Sequence, residues 1–165
     1  MLLFFVFTSI ILTANAELWV NICTSDSGHQ CCASDMKDHE FWVMQHTGTW
    51  RSLEQECYLD SYPYSHLVTL DTRGKNDCLI KYLQDEYGGP WKRYAIGLKS
   101  PDAYRGVYEW REDNKTLDFV NWANSFPKDN PYVYMTVGSG AAQNGRWGDT
   151  TATDSNLYAI CERLK

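Results

Sequence analysis

The chain has 165 residues, with 21 acidic and 15 basic side chains, a formal net charge of −6 and a pI of about 5.1. An acidic chain is not expected to bind nucleic acid, because that contact depends on a basic surface. Hydrophobic residues make up 44% and aromatic residues 15% of the chain, which excludes a disordered polymer. No apolar run reaches the roughly 18 residues needed to cross a bilayer. We therefore expect one compact domain without a membrane span.

The start of the chain is an apolar run. Residues 2–12 are apolar apart from two hydroxyl side chains, and the small residues Ala14 and Ala16 follow. This pattern is typical of a secretory signal peptide. We predict a signal peptide at residues 1–16 and a secreted, extracellular protein; a buried N-terminal helix is the alternative.

The six cysteines all follow the predicted cleavage point: Cys23, Cys31, Cys32, Cys57, Cys78 and Cys161. An even number in a secreted chain favours disulfides, although six cysteines allow 15 pairings. A zinc site is disfavoured because there is no Cys-x-x-Cys and the histidines lack paired spacing. We interpret residues 17–40 as a cysteine-bearing N-terminal arm and residues 41–165 as the folded domain.

Two helices are predicted in the first half of the domain. Thr49 can cap the first, because its hydroxyl can accept a hydrogen bond from a free amide of the first turn. The inward positions of this helix follow a helical spacing: Trp50, Leu53 and Cys57. The second helix carries apolar residues on one side: Leu79, Ile80, Leu83 and Tyr87. It is expected to end at residues 88–90, where glycine supplies a left-handed cap and proline stops the helix.

Seven short segments have the composition of strands, and five of them follow the second helix. They are residues 41–44, 66–70, 94–98, 107–110, 132–136, 146–149 and 158–162. Two early helices and several late strands predict an α+β fold. Irregular connections are expected around residues 112–131 and 137–145, and such long loops commonly carry binding functions.

Six short motifs occur in a characteristic order. They are the helix from Trp50 to Cys57, His66-Leu67-Val68, Ala95-Ile96-Gly97-Leu98, Tyr108-Glu109-Trp110 followed by Asn121-Trp122, Trp147-Gly148-Asp149, and Ile160-Cys161-Glu162. Together they resemble the C-type lectin-like domain over residues 41–163. The resemblance implies a disulfide-stapled C-type lectin-like fold, with two helices, two small antiparallel sheets and a long irregular loop region. It also implies a disulfide between Cys57 and Cys161.

The remaining cysteines depart from the family's pattern. Tyr132 stands where the family has the first cysteine of its second bridge, and residues 150–156 contain no cysteine. The other four cysteines are therefore expected to pair among themselves or with another chain. One arrangement joins Cys78 to the N-terminal arm.

The family's calcium site is depleted in this chain. Calcium-dependent members hold the ion with a Glu-Pro-Asn or Gln-Pro-Asp triplet, a nearby Glu and the Asn-Asp after the late tryptophan. Here Pro127, implied by the resemblance to follow a cis peptide bond, is flanked by Phe126 and Lys128, whose side chains carry no oxygen. Gly148 replaces the asparagine, so only Asp149 remains. Because calcium takes about 6 to 8 oxygen ligands, we expect no cofactor at the usual position.

Candidate ligand-contacting residues lie in the loops between residues 124 and 149: Phe126, Pro127, Lys128, Asp129, Asn130, Trp147 and Asp149. Tyr132 and Tyr134 could add to an aromatic and cationic patch, with burial of Tyr134 and Trp147 in the core as the alternative. A displaced calcium site at Asp129, Asn130 and Asp149 is a second alternative. Asn114 begins the sequon Asn-Lys-Thr and is a candidate for N-glycosylation.

Catalysis is not expected. Glu54 and Glu56 are two residues apart on a helix and do not share a face, and no Gly-x-Ser-x-Gly motif occurs. The sequence favours a secreted recognition protein that binds a carbohydrate or protein ligand, and the resemblance suggests innate recognition. The alternatives are a calcium-dependent lectin with the displaced site and a structural protein that attaches to matrix or mineral. The oligomeric state is left open.

Overall fold

The computed structural model describes residue 19 and residues 36–59, 65–101, 106–112, 117–139 and 143–164. These contain helices α1 (Trp50–Leu59) and α2 (Arg73–Tyr87). The strands are β1 (His39–Val43), β2 (His66–Leu67), β3 (Lys92–Lys99), β4 (Glu109–Trp110), β5 (Tyr132–Val137), β6 (Trp147–Thr150) and β7 (Tyr158–Leu164). Every predicted helix and strand is present, with ends that differ by a few residues. Neither helix of this described part is long and apolar enough to cross a membrane.

Several predictions fall outside the described residues. They are the signal peptide at residues 1–16, the arm cysteines Cys23, Cys31 and Cys32, and the sequon at Asn114. Cys78, in α2, is disulfide-bonded, and its partner also lies outside the described residues.

The sheet is mixed. Its strand order is β1-β7-β3-β5-β6, with β2 paired to β7 and β4 paired to β3. Two antiparallel groups are joined by a parallel pairing between β3 and β7, in which Tyr94 lies opposite Tyr158 and Ala95 opposite Ala159. The two antiparallel groups correspond to the two small sheets that the resemblance implied, and β7 joins them into one mixed sheet because it lies between β1 and β3.

Helix α1 follows its prediction closely. The Ser52 amide donates to the Thr49 hydroxyl at 3.2 Å, and the inward positions Trp50, Leu53 and Cys57 are buried. Cys57 forms a disulfide with Cys161 of β7, as the resemblance implied, across a sequence separation of 104. On the chain-entropy estimate, a loop of that length stabilises the fold by about 4 to 5 kcal/mol. The disulfide therefore holds the first helix to the last strand.

Helix α2 begins as a capped helix and ends at the predicted glycines, where Gly89 has φ 152°. The Lys75 amide donates to the Thr72 hydroxyl at 3.2 Å. At the other end, Gly88 has φ −49°, so the expected left-handed cap is absent at this residue. A Cβ on Gly88 would lie 2.5 Å from the Gln84 carbonyl oxygen. Glycine is therefore required here for close backbone approach.

The two faces of the sheet bury different clusters. In β5, Val133, Met135 and Val137 pack into a cluster that includes residues of α2. Tyr132 packs on the other face with α1 and the disulfide. Because successive side chains of β5 point to opposite faces of the sheet, the strand separates the two clusters. The two ends of β5 connect to the loops.

A buried charge network joins β7 to β1 and α2. Glu162 has no exposed surface; its Oε1 lies 2.9 Å from Lys75 Nζ and 2.6 Å from His39 Nδ1. Its Oε2 accepts from the Thr69 amide at 2.8 Å. Burial alone would raise the pKa of Glu162, but His39, Lys75 and the Thr69 amide together hold that pKa at about 2. Glu162 is therefore ionised at neutral pH.

Candidate functional site

Asp149 of β6 holds the loop that precedes β5. The side chain is buried, and the Lys128 amide donates to its two oxygens at 2.9 and 2.8 Å. The Asn130 amide donates to Oδ2 at 2.6 Å, and the Tyr108 hydroxyl donates to the same oxygen at 3.2 Å. Bonds from several donors to one ionised acceptor are strong individually and restrict the chain. The carboxylate therefore sets the conformation of residues 128–130.

Tyr108 connects this carboxylate to the core. Its hydroxyl lies 2.9 Å from the Asn130 carbonyl oxygen as well as close to Asp149, and its ring lies 5.0 Å from that of Trp122. Burial, and then the neighbouring Asp149 charge, raise the pKa of Tyr108. The hydroxyl thus remains a donor at neutral pH. The sequence motif placed Tyr108 in the fold but gave no signal for this contact.

The tip of the loop is turned by its backbone. The Phe126–Pro127 peptide bond is cis, as the resemblance implied, and Ser125 and Asp129 have φ of 67° and 62°. Left-handed backbone is unfavourable for residues other than glycine and persists where the surroundings enforce it. Pro127, Lys128 and Asp129 are exposed, whereas Phe126 is half-buried. The tip presents an apolar, a cationic and an acidic side chain to solvent.

A cationic and aromatic surface follows from this loop conformation. Lys128 Nζ lies 4.7 Å from the centre of the Phe126 ring. At Gly148, a Cβ would lie 2.5 Å from the Tyr134 hydroxyl oxygen and 3.2 Å from Phe126 Cε1. Tyr134 and Phe126 thus fill the space beside Gly148, at the position where the resemblance implied an asparagine. We call Phe126, Lys128 and Tyr134 the loop surface.

Arg93 of β3 extends the loop surface. Its guanidinium lies 5.2 Å from the centre of the Tyr134 ring and bonds Asp154 at 2.7 and 3.1 Å. Burial would raise the pKa of Asp154, but hydrogen bonds from Thr150 and Arg93 bring it below its ordinary value. This ion pair fixes Arg93 against the ring. Sequence analysis missed Arg93, because its position depends on the pairing of β3 with β5.

Trp147 supports the loop from within the core and has no exposed surface. Its backbone carbonyl accepts from the Ala123 amide at 2.8 Å, and its amide donates to the Asn121 carbonyl at 2.9 Å. The predicted stretch 124–149 is not one surface, because residues 124–131 precede β5 and the described residues 138–139 and 143–146 follow it at the other end. Of the described candidates, residues 126–130 and Asp149 lie at the first of these ends, whereas Trp147 is opposite Met135, farther along β5.

The donor set does not fit a calcium ion. Both oxygens of Asp149 face N–H or O–H donors, so a cation there would have to displace the bonds that order the loop. Asp129 is exposed, and its Oδ1 would lie 3.1 Å from a Cβ atom added to Gly106. Among the residues described, no group of three or more His, Cys, Asp or Glu side chains could hold a metal.

Comparisons with known proteins identify the fold. No family model matches the sequence, and no curated protein matches it. The carbohydrate-recognition domain of the mouse scavenger receptor C-type lectin superposes with a TM-score of 0.62 and 20% identity, over 78% of this chain and 90% of that chain. The C-type lectin CEL-I from Cucumaria echinata gives 0.66 and 19%, over 81% and 99%. A calcium-independent type II antifreeze protein gives 0.59 and 20%, over 77% and 87%.

These similarities define the architecture. Solved structures from several C-type lectin-like domains match most of the described chain, and the Cys57–Cys161 disulfide accompanies the match. The chain has the C-type lectin-like fold.

Proposed function

We propose that this protein is a secreted recognition protein that binds a carbohydrate or protein ligand through the loop surface, with no calcium ion in the contact. The observation that carries the proposal is that both oxygens of Asp149 accept hydrogen bonds from the loop, with the Lys128 and Asn130 amides and the Tyr108 hydroxyl as donors. This carboxylate organises the loop and is not offered to an ion.

The chemistry of the loop surface supports direct recognition. Aromatic rings contribute apolar area with few rotatable bonds, which favours contact with a sugar ring or a protein side chain. Lys128 makes no ion pair within the described part of the chain, where its ammonium lies over the Phe126 ring. Its charge is therefore directed toward a ligand with an acidic group beside an apolar face.

Secretion is part of the proposal. It is supported by the apolar run at residues 2–12 and by the Cys57–Cys161 disulfide, since disulfides persist in oxidising compartments. A role in binding instead of catalysis agrees with neighbours that are described as lectins and carbohydrate-recognition domains.

Two alternatives have less support. A displaced calcium site at Asp129, Asn130 and Asp149 requires Asp149 to give up its bonds to the loop amides. Attachment to mineral, matrix or ice has a precedent in the fold, since one neighbour is a calcium-independent antifreeze protein. The exposed tip of this chain, however, presents Pro127, Lys128 and Asp129, which form no repeating array.

The test is a glycan array and an extracellular-protein array, each probed with the oxidised protein in calcium and in EDTA. We expect a specific ligand whose binding is equal in the two buffers. Lys128→Met should weaken that binding by about tenfold, the typical effect of losing one charged contact. Lys81→Met, which removes an exposed lysine of α2, is the matched control and should leave binding unchanged.

Calcium titration by calorimetry tests whether the displaced site at Asp129, Asn130 and Asp149 binds calcium. Binding at micromolar strength that disappears in Asp149→Asn, together with ligand binding that is abolished by EDTA, would contradict the proposal. Binding to mineral or ice that persists in Lys128→Met would favour the structural alternative.

A further inference from the structure

A small pocket lies at the end of β5 that is remote from the loop surface. It is formed between the C-terminal end of α2 and the ends of β3 and β5, and its volume is about 230 Å³. Leu83, Tyr87 and Val137 contribute apolar and aromatic walls. Ligand pockets in proteins are characteristically apolar cavities with a few converging polar groups. Tyr94 and Lys92 are two of the polar residues that line this pocket.

Tyr94 supplies the first polar group. The residue lines the pocket and is only 2% exposed, yet its hydroxyl has no hydrogen-bond partner among the described residues. The hydroxyl oxygen is not one of the described side-chain atoms that are both fully buried and unpaired, so it retains contact with solvent in the pocket. Burial, and then the neighbouring hydroxyls of Tyr158 and Tyr87, raise the pKa of Tyr94, so the group is a donor at neutral pH. The Tyr94 hydroxyl has no acceptor among the described residues.

Lys92 supplies the second polar group. Its Nζ lies 5.1 Å from the centre of the Tyr158 ring and 5.9 Å from that of Tyr87. The two rings hold the ammonium at the pocket, and no described carboxylate forms an ion pair with it. The residues that line the pocket include no Asp or Glu. A cationic side chain and a hydroxyl donor thus line an apolar pocket whose lining residues include no carboxylate.

We propose that this pocket binds a small aromatic carboxylic acid. The ring packs between Tyr87, Leu83 and Val137, and the carboxylate accepts from the Tyr94 hydroxyl and the Lys92 ammonium. The volume fits one substituted ring, since an engineered cavity of about 150 Å³ takes up benzene. The site is independent of the proposed function, because it lies at the opposite end of β5 from Phe126 and Lys128.

The test uses phenylacetate and its neutral analogue phenylacetamide as probes of the oxidised protein, by saturation-transfer NMR and titration. We expect saturable binding of phenylacetate and binding of phenylacetamide that is weaker by about tenfold or more, as for the loss of a charged hydrogen bond. Lys92→Met and Tyr94→Phe should each weaken phenylacetate binding. Tyr94→Phe keeps the ring and breaks no existing hydrogen bond, so it should fold normally.

Lys99→Met is the matched control, because Lys99 is a half-buried lysine at the other end of β3 and should leave phenylacetate binding unchanged. Three outcomes would overturn the proposal: no saturable binding, equal affinity for the two probes, or equal weakening by Lys99→Met. Lys92 also follows the C-terminus of α2, where a positive charge stabilises the helix. If Lys92→Met lowers thermal stability but leaves the affinity for phenylacetate unchanged, Lys92 serves the helix and the proposed role is wrong.

Discussion

Glu162 and Asp149 are both buried carboxylates, but they are contacted by different kinds of groups. Glu162 lies in β7, near one edge of the sheet, and contacts the ammonium group of Lys75 and the imidazole ring of His39. Asp149 lies in β6, at the other edge, and accepts only from amides and a hydroxyl. The first carboxylate balances charges inside the core, whereas the second orders a loop.

The difference shows that a buried carboxylate can either stabilise the whole fold or order one exposed loop. Removing one member of a buried ion pair leaves an uncompensated charge, which is strongly destabilising. Removing an acceptor from neutral donors costs less, because a loop amide can turn toward water. Changes at Glu162 should therefore affect the whole fold, and changes at Asp149 should affect mainly residues 128–130.

The largest effect is expected from Glu162→Gln. The substitution leaves Lys75 buried beside a neutral amide, and the free energy of unfolding should fall by about 3 kcal/mol or more. Urea denaturation monitored by tryptophan fluorescence measures this change. Glu40→Gln, which disrupts the half-buried pair with Arg163 on the same sheet, is the control, with an expected loss below about 1 kcal/mol. Equal losses in the two variants would remove the distinction between the network and an ordinary ion pair.

Acid should weaken the same region. The pKa of Glu162 is lowered from 4.5 to about 2 in the folded protein, so its ionised form contributes stability above pH 4.5. That contribution is lost as the pH falls from 4.5 toward 2, since protons then bind the unfolded chain preferentially. Urea midpoints measured over this range should converge for the parent protein and Glu162→Gln. A difference that stays constant down to pH 2 would contradict the assignment.

A smaller and more local effect is expected from Asp149→Asn. The amide replaces one acceptor oxygen by a donor that faces the Lys128 or Asn130 N–H, with a loss of about 1 to 2 kcal/mol. Hydrogen exchange should accelerate at Lys128 and Asn130 and remain slow in β1 and β7. Asp129→Asn, at an exposed position in the same loop, should change neither the free energy of unfolding nor the hydrogen exchange at Lys128 and Asn130. Faster exchange throughout the sheet would show that Asp149 supports the whole fold.

The smallest change in stability is expected from Lys128→Met. An exposed cation–π contact contributes at most about 1 kcal/mol, and the methionine side chain retains contact with Phe126. Thermal unfolding should therefore be nearly unchanged while ligand binding weakens. A large drop in the melting temperature would place Lys128 among the residues that build the loop.

Local sequence patterns were sufficient to locate both helices and all seven strands. The spacing of Trp50, Leu53 and Cys57 predicts a buried helical face, and the composition of the short apolar and aromatic segments predicts the strands. These signals depend on neighbouring residues. The Cys57–Cys161 pairing came instead from the resemblance, because spacing alone leaves all the alternatives open.

The contacts that distinguish the site are non-local and could not be read from the chain. Asp149 was recognised as the surviving family acid, but its bonds to the Lys128 and Asn130 amides depend on how the loop returns to β6. The packing of Tyr134 against Gly148 depends on the register of β5 and β6. The unpartnered hydroxyl of Tyr94 likewise becomes visible only when α2 and the sheet are assembled.

The place of β7 in the sheet constrains how the protein can be made. This strand comes after every other described element, yet it lies between β1 and β3 and also pairs with β2. A nascent chain that ends before Tyr158 exposes unpaired strand edges on both sides of the gap, and such edges favour aggregation. The sheet therefore cannot be completed until the last strand has been synthesised.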